Sequence, residues 1–60
     1  MKIVMTNTAT KESKVVSFKK ACDEMDKDRW INVNRTMVNY RLLNNETIAV
    51  NGYEFKREIN

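Results

Sequence analysis

The fold is decided by the stretch Val15-Val16-Ser17-Phe18-Lys19-Lys20-Ala21-Cys22-Asp23-Glu24-Met25, where an alternating pattern gives way to a helical one. After Ser17, apolar residues recur at i, i+3, i+4 and i+7, which places them on one face of a helix. They are Phe18, Ala21, Cys22 and Met25, whereas Lys19, Lys20, Asp23 and Glu24 face water. Ser17 is the predicted N-cap, because its hydroxyl can accept a bond from a backbone N–H of the first turn. The helix is expected to run from Phe18 to Met25 or Asp26.

The residues before this helix predict a β-hairpin. Lys2 to Thr8 is rich in β-branched residues and forms the first strand. A polar turn from Thr10 to Ser13 follows, and Lys14 to Ser17 returns as a short second strand. We expect Val15 to point to the side of the sheet that Phe18 continues.

A second helix is predicted from Arg35 to Leu43. Asn32 or Asn34 can serve as its N-cap, and Asn44-Asn45 can end it, because asparagine tolerates the left-handed conformation at a helix end. Val38 and Leu42 are four residues apart and are expected to face the core, with Leu43 beside them. The charged residues from Asp26 to Arg29 form a turn before this helix.

The C-terminal residues predict a second hairpin. Thr47 to Val50 reads as a strand, Asn51-Gly52 is a strong signal for a tight hairpin turn, and Tyr53 and Phe55 alternate with polar residues on the returning strand. The chain is therefore expected to be one α+β domain, residues 1–60, in the order β-β-α-α-β-β. Its two hairpins can form a small antiparallel sheet packed on the helices.

The composition argues against a disulfide, a metal site and a catalytic site. The 60 residues include one cysteine and no histidine, so neither an intramolecular disulfide nor a Cys/His zinc cluster is expected. Cys22 is interpreted as a small buried residue. The carboxylates between Asp23 and Asp28 lack the glycine and terminal glutamate of a calcium loop. With no catalytic pair and no phosphate loop, we predict no enzyme activity, no metal and no cofactor.

Charge and hydropathy indicate which classes of partner are possible. The net charge is +3 and the sequence pI is about 9.2, which permits a nucleic-acid partner without requiring one. No signal peptide or membrane span is apparent, so a soluble, cytoplasmic protein without a membrane partner is expected.

The order of these motifs resembles a known family. The chain resembles the small NUMOD1-type helix-turn-helix module found beside phage homing endonucleases in three segments: Val15-x-Ser17-Phe18-x-x-Ala21-Cys22-x-x-Met25, then Val38-x-x-x-Leu42, then Gly52-Tyr53-x-Phe55. The resemblance covers most of residues 13–57. It departs from the family in the segment from Asp26 to Val33, which is longer than the usual turn and contains no glycine. The resemblance implies a phage or mobile-element protein that binds DNA.

Duplex DNA is therefore the leading predicted partner. The second helix would enter the major groove, because arginine, asparagine and threonine are residue types that contact base edges and phosphates. The predicted DNA-contacting residues are Lys14, Lys19, Lys20, Asn34, Arg35, Thr36, Asn39 and Arg41.

The alternative is a phage-encoded inhibitor that binds a host protein. Its target would be a defence nuclease, as for an anti-CRISPR protein, or a transcription enzyme. The predicted contact residues are Asp26, Asp28 and Trp30, although for Trp30 itself packing in the core is the favoured role. A homodimer formed through sheet edges or through Met37 is compatible with either function.

Overall fold

A computed structural model describes residues 1–27 and 34–59. The six elements are β1 (Lys2–Asn7), β2 (Ser13–Ser17), α1 (Phe18–Met25), α2 (Arg35–Leu43), β3 (Ile48–Val50) and β4 (Tyr53–Arg57). The predicted order β-β-α-α-β-β and the α+β class are confirmed. The predictions for Asp28 and Trp30 lie outside the described residues, as does the part of the predicted charged turn that follows Lys27.

The two hairpins form one four-stranded antiparallel sheet with strand order β2-β1-β4-β3. β1 pairs with β2 on one side, with Ile3 opposite Val16, and with β4 on the other, with Met5 opposite Phe55. Both helices pack on the same face of the sheet. Helix α1 lies against β1 and β2, and α2 lies against β3 and β4. The opposite face of the sheet carries no described helix.

Among the described residues, nine are buried and form the core between the sheet and the helices: Ile3, Met5, Ala21, Cys22, Met25, Val38, Leu42, Ile48 and Phe55. Val16 and Phe18 pack against this cluster, as the strand-to-helix stretch requires. The prediction for Val15 is wrong. Val15 pairs with Val4 on the open face and remains 50% exposed, because Val16 is the residue that lies opposite buried Ile3.

Helix α1 begins as predicted. The hydroxyl of Ser17 accepts a hydrogen bond from the Lys20 backbone N–H at 3.1 Å, and Ser17 itself has an extended backbone. Its apolar stripe is buried through Ala21, Cys22 and Met25. Glu24 was expected to face water, but its side chain is only 10% exposed because Lys20 and Lys27 lie against it.

Helix α2 is capped by Asn34, one of the two predicted N-caps, whose Oδ1 accepts a bond from the Met37 backbone N–H at 3.1 Å. It ends at Leu43 with Asn44 as its C-cap, and Asn45 takes the left-handed conformation with φ 61°. Val38 and Leu42 are buried as predicted. The expectation for Leu43 is wrong: its side chain is 50% exposed, since it lies about 100° around the helix from Leu42.

The turn between β3 and β4 also matches its sequence signal. Asn51 and Gly52 both have positive φ, 55° and 78°, as a two-residue type I′ turn needs. The Asn51 amide donates to the backbone carbonyl of Met25 at 3.4 Å, so the turn touches the end of α1. The Gly52 carbonyl accepts bonds from the backbone N–H and the hydroxyl of Thr8. These bonds join the two hairpins at one end of the sheet.

Candidate nucleic-acid interface

Helix α2 has one face in the core and one face in solvent. Val38, 8% exposed, and Leu42, fully buried, fix which face points inward. With 100° per residue, Tyr40 lies nearly opposite them and Thr36 lies beside it. Thr36, Asn39 and Tyr40 are exposed. No hydrogen bond between described residues uses the side chains of Thr36 or Asn39, so both can bond to a ligand without breaking one of those bonds.

Arg35, in the first turn of α2, binds the end of α1. Its Nη2 lies 3.2 Å from Asp23 Oδ1 and 3.2 Å from Asp26 Oδ2. Asp26 is also the C-cap residue of α1, so the guanidinium stands where a positive charge complements the helix dipole. Arg35 therefore has a structural role in joining the two helices, a role that the sequence pattern did not indicate.

The two predicted phosphate-contacting lysines of α1 also have acidic neighbours. Lys19 pairs with Asp23 at 3.1 Å and Lys20 pairs with Glu24 at 3.1 Å, each one helical turn apart. Hydrogen bonds from Lys19 and then Arg35 lower the pKa of Asp23. Hydrogen bonds from Lys27 and then Lys20 lower the pKa of Glu24.

These ion pairs do not exclude contact with phosphate. The lysine side chains remain well exposed, 83% for Lys19 and 52% for Lys20, and exposed ion pairs contribute little because water screens them. A lysine on a flexible side chain can leave a carboxylate for a phosphate at low cost. The acidic partners nevertheless reduce the local positive charge near α2.

The remaining predicted DNA-contacting residues are distributed around the domain. Asn34 is occupied as the N-cap, although its side chain is exposed. Arg41 Nε lies 3.2 Å from Glu46 Oε1, just beyond the end of α2. Lys14 lies on β2, opposite Met5, at the far side of the sheet from the strands that support α2. The fold thus brings Lys19 and Arg35 together, because both bind the carboxylate of Asp23. It separates Lys14 from both.

The outer face of α2 also carries an apolar stripe, of which only Met37 was predicted as a contact residue, for a homodimer. Met37, Tyr40 and Leu43 are 54%, 64% and 50% exposed. Their i, i+3, i+6 spacing was a usable signal, because it places them on a ridge separate from Val38 and Leu42. Beyond Leu43 this ridge continues into a shallow depression lined also by Met1 and Ile59.

The residues predicted for a protein contact are only partly described. Asp26 is exposed and bound to Arg35, and nothing further connects it to a partner. The apolar stripe of α2 is therefore the clearest candidate for a protein contact within residues 1–27 and 34–59. It lies on the same helix face as Thr36, so a protein and a DNA duplex would compete for it.

The described part of the chain gives little support for a metal site, a reactive cysteine or a membrane-spanning helix. No group of three or more Cys, Asp or Glu side chains is arranged there to hold a metal ion. Cys22 is buried, and burial raises the pKa of its thiol. A surface depression of about 210 Å³ lies between β1, β2 and Tyr53, and its lining includes Lys14 and Glu12. No described helix is long and apolar enough to cross a membrane.

Comparison of the chain with family models, with curated proteins and with solved structures finds no match. The resemblance to the helix-turn-helix module therefore stays a prediction.

Proposed function

We propose that this chain is a duplex-DNA-binding module that presents the outer face of α2 to the major groove. The observation that carries the proposal is the placement of Thr36 and Asn39. Both side chains are exposed on the solvent face of a helix whose other face is locked by Val38 and Leu42. An α-helix fits the major groove, where asparagine can read adenine and threonine can bond to base edges.

Phosphate contacts would come from two lysines of α1. Lys19 and Lys20 project from α1, which Arg35 ties to the start of α2. Contacts of this kind fix the position of a protein on DNA without reading sequence. The net charge of +3 supports the same proposal. A single copy would bind weakly, with a Kd of about 10⁻⁴ to 10⁻⁶ M, as non-specific complexes do.

A salt titration of binding to a random-sequence duplex, read by fluorescence anisotropy, tests the proposal. With about three phosphate contacts, the affinity should fall about 40-fold between 50 and 200 mM salt, because log K falls with log salt at a slope of about −0.9 per contact. The double variant Lys19→Gln/Lys20→Gln should reduce that slope by about two. The absence of binding at low salt, or an affinity that salt does not change, would reject the proposal.

A second candidate function is inhibition of a host protein, and the exposed stripe of α2 favours it. Met37, Tyr40 and Leu43 form a contiguous apolar ridge, and exposed apolar patches of soluble proteins mark contact sites more often than isolated apolar residues do. Tyrosine is also a frequent anchor of protein interfaces. A host protein captured by the wild-type chain and not by Met37→Ser/Tyr40→Ala would support this function. Equal capture by both proteins would place the contact elsewhere.

A further inference from the structure

Strand β2 lies at one edge of the sheet, and the hydrogen-bond pattern shows which of its backbone groups point outward. The Asn7 N–H donates to the Glu12 carbonyl at 2.8 Å, so these two residues form a hydrogen-bonded pair of the β1–β2 ladder. Bonded and non-bonded pairs alternate along an antiparallel ladder, so Lys14 and Val16 also turn their backbone groups toward β1.

Ser13, Val15 and Ser17 therefore direct their backbone N–H and C=O groups away from the sheet. The contact between Thr6 Oγ1 and Ser13 Oγ, 2.8 Å, fits this assignment, because side chains of non-bonded pairs approach more closely. The bonds that join β1 to β4 have the same phase. Thr8 donates to the Gly52 carbonyl and Glu58 donates to the Lys2 carbonyl, so even-numbered residues of β1 face β4 and odd-numbered residues face β2.

Among the described residues, this edge has no proline, bulge or covering segment within β2 that would protect it against strand pairing. Proline is absent from the sequence, β2 pairs with β1 without interruption over all its residues, and none of those residues is buried. Proteins shield such edges with proline, bulges, covering segments or charged residues, especially lysine. Lys14 is the one charge within the strand, and its side chain lies on the helix side, opposite Met5.

We propose that β2 pairs antiparallel with β2 of a second copy of this chain, about a two-fold axis at Val15. In this register the two Val15 residues exchange both backbone bonds, and each Ser17 N–H reaches the Ser13 carbonyl of the other copy. The outward groups of β2 then meet outward groups, as a continuous ladder requires. The dimer joins two four-stranded sheets into one sheet of eight strands.

The open face of the sheet supports this choice of partner. Val15 is 50% exposed beside Val4, its pair on β1. Pairing through the two-fold axis sets Val15 against Val15 of the second copy, which makes a continuous apolar stripe with a Val4 at each end. Burying this surface is favourable, and β-branched pairs stabilise antiparallel ladders.

The helix side accommodates the same arrangement. Helix α1 packs over β1 and β2, so the α1 helices of the two copies would be about two strand spacings apart, roughly 10 Å, a normal distance for packed helices. Lys14 faces Val16 of the second copy, so the two lysines are offset diagonally and not directly opposed. At the other edge, β3 has three residues and offers a much shorter ladder.

Proline substitution tests the pairing. Val15→Pro removes an N–H that points away from β1, so the sheet of each chain is kept while the central bond of the dimer is lost. Ala49→Pro is the matched control. Ala49 lies on the other edge strand between Ile48 and Val50, which bond to β4 across the type I′ hairpin, so its N–H also points outward. Sedimentation equilibrium from micromolar to millimolar concentration measures the mass.

The wild-type chain and Ala49→Pro should approach twice the 7.1 kDa chain mass as concentration rises, and Val15→Pro should remain at that mass. A wild-type chain that stays monomeric, a Val15→Pro variant that still dimerises, or loss of association in both variants would overturn the proposal. Hydrogen exchange of the wild-type Val15 amide provides a second measurement that needs no variant. Its exchange should slow as concentration rises, and exchange independent of concentration would contradict the pairing.

Discussion

Arg35 Nη2 lies 3.2 Å from Asp23 Oδ1, and this contact joins the first turn of α2 to the last turns of α1. Asp23 also accepts a bond from Lys19, so one carboxylate holds two of the residues predicted to contact DNA. The carboxylate of Asp23 thus holds the side chains of Lys19 and Arg35 in place and neutralises part of their positive charge. Variants on its two sides should therefore change DNA affinity in opposite directions.

Asp23→Asn should raise the affinity for duplex DNA, because it removes a negative charge between Lys19 and Arg35. Arg35→Ala should lower it, because it removes a cation and leaves Asp23 without its partner on α2. Anisotropy titrations of both variants at one low salt concentration measure the two effects. A common direction of change in both variants would show that Asp23 acts on the fold and not on the charge that DNA meets.

Leu42 and Leu43 are adjacent leucines with opposite environments, fully buried and 50% exposed. Leu42→Ala should lower the free energy of unfolding by about 2 to 5 kcal/mol, since it removes core contacts and leaves a cavity. That loss is a large share of the stability of a 60-residue domain. Leu43→Ala should cost less than about 1 kcal/mol. Urea unfolding of the two variants makes the comparison, and equal losses would show that Leu43 belongs to the core.

Val15 shows where sequence reasoning reached its limit. The element order, the Ser17 cap and the Asn51-Gly52 turn follow from local chemistry, and the structure confirms them. In Val15-Val16, however, both residues are β-branched, so alternation alone cannot tell which one faces the helices. The register with Ile3 on β1 decides it. Leu43 differs, because the helical period already places it about 100° from Leu42, and the packing of α2 on β3 and β4 leaves its side chain half exposed.

The candidate site was predictable to a lesser extent. The exposure of Thr36 and Asn39 follows from the helical period, once Val38 and Leu42 are placed inside. The contacts of Arg35 with Asp23 and Asp26 depend on how two helices approach each other, which spacing along the chain does not indicate.

Among the described residues, positive φ occurs at two asparagines, at Gly52 and at Lys11, where φ is 66°. The left-handed conformation costs an ordinary residue about 1 to 2 kcal/mol, and glycine avoids that cost but loses more backbone entropy on folding. Lys11→Gly should therefore stabilise the fold by about 0.5 to 1 kcal/mol. Lys11→Ala removes the same charge but keeps Cβ, so it is the matched control and should show no gain. Denaturant midpoints distinguish the two, and an equal gain in both would attribute the effect to charge.

Acid should destabilise the fold through Asp23 and Glu24. The folded-state pKa of each carboxyl lies below its ordinary value, 3.8 for Asp23 and 4.5 for Glu24, so each contributes stability above that value. The contribution is lost as pH falls through the depressed folded-state pKa. Urea midpoints measured between pH 7 and pH 2 should drop in that range.

Glu24→Gln should flatten this acid limb, because the amide does not titrate, and Asp23→Asn should flatten it further. The variants should be less stable than the wild-type chain at pH 7 and should approach it at low pH. An acid limb unchanged in the double variant would assign the pH dependence to other carboxyls.

The position of DNA on the domain is the central claim, and NMR chemical-shift mapping tests it most directly. A ¹⁵N-labelled chain is titrated with a short duplex at low salt, with the same chain in matched buffer as the reference. The proposal predicts that the largest shift changes fall on Thr36, Asn39 and the first turns of α1 around Lys19 and Lys20. Changes confined to the open sheet face near Lys2 and Lys56, or no changes at all, would contradict it.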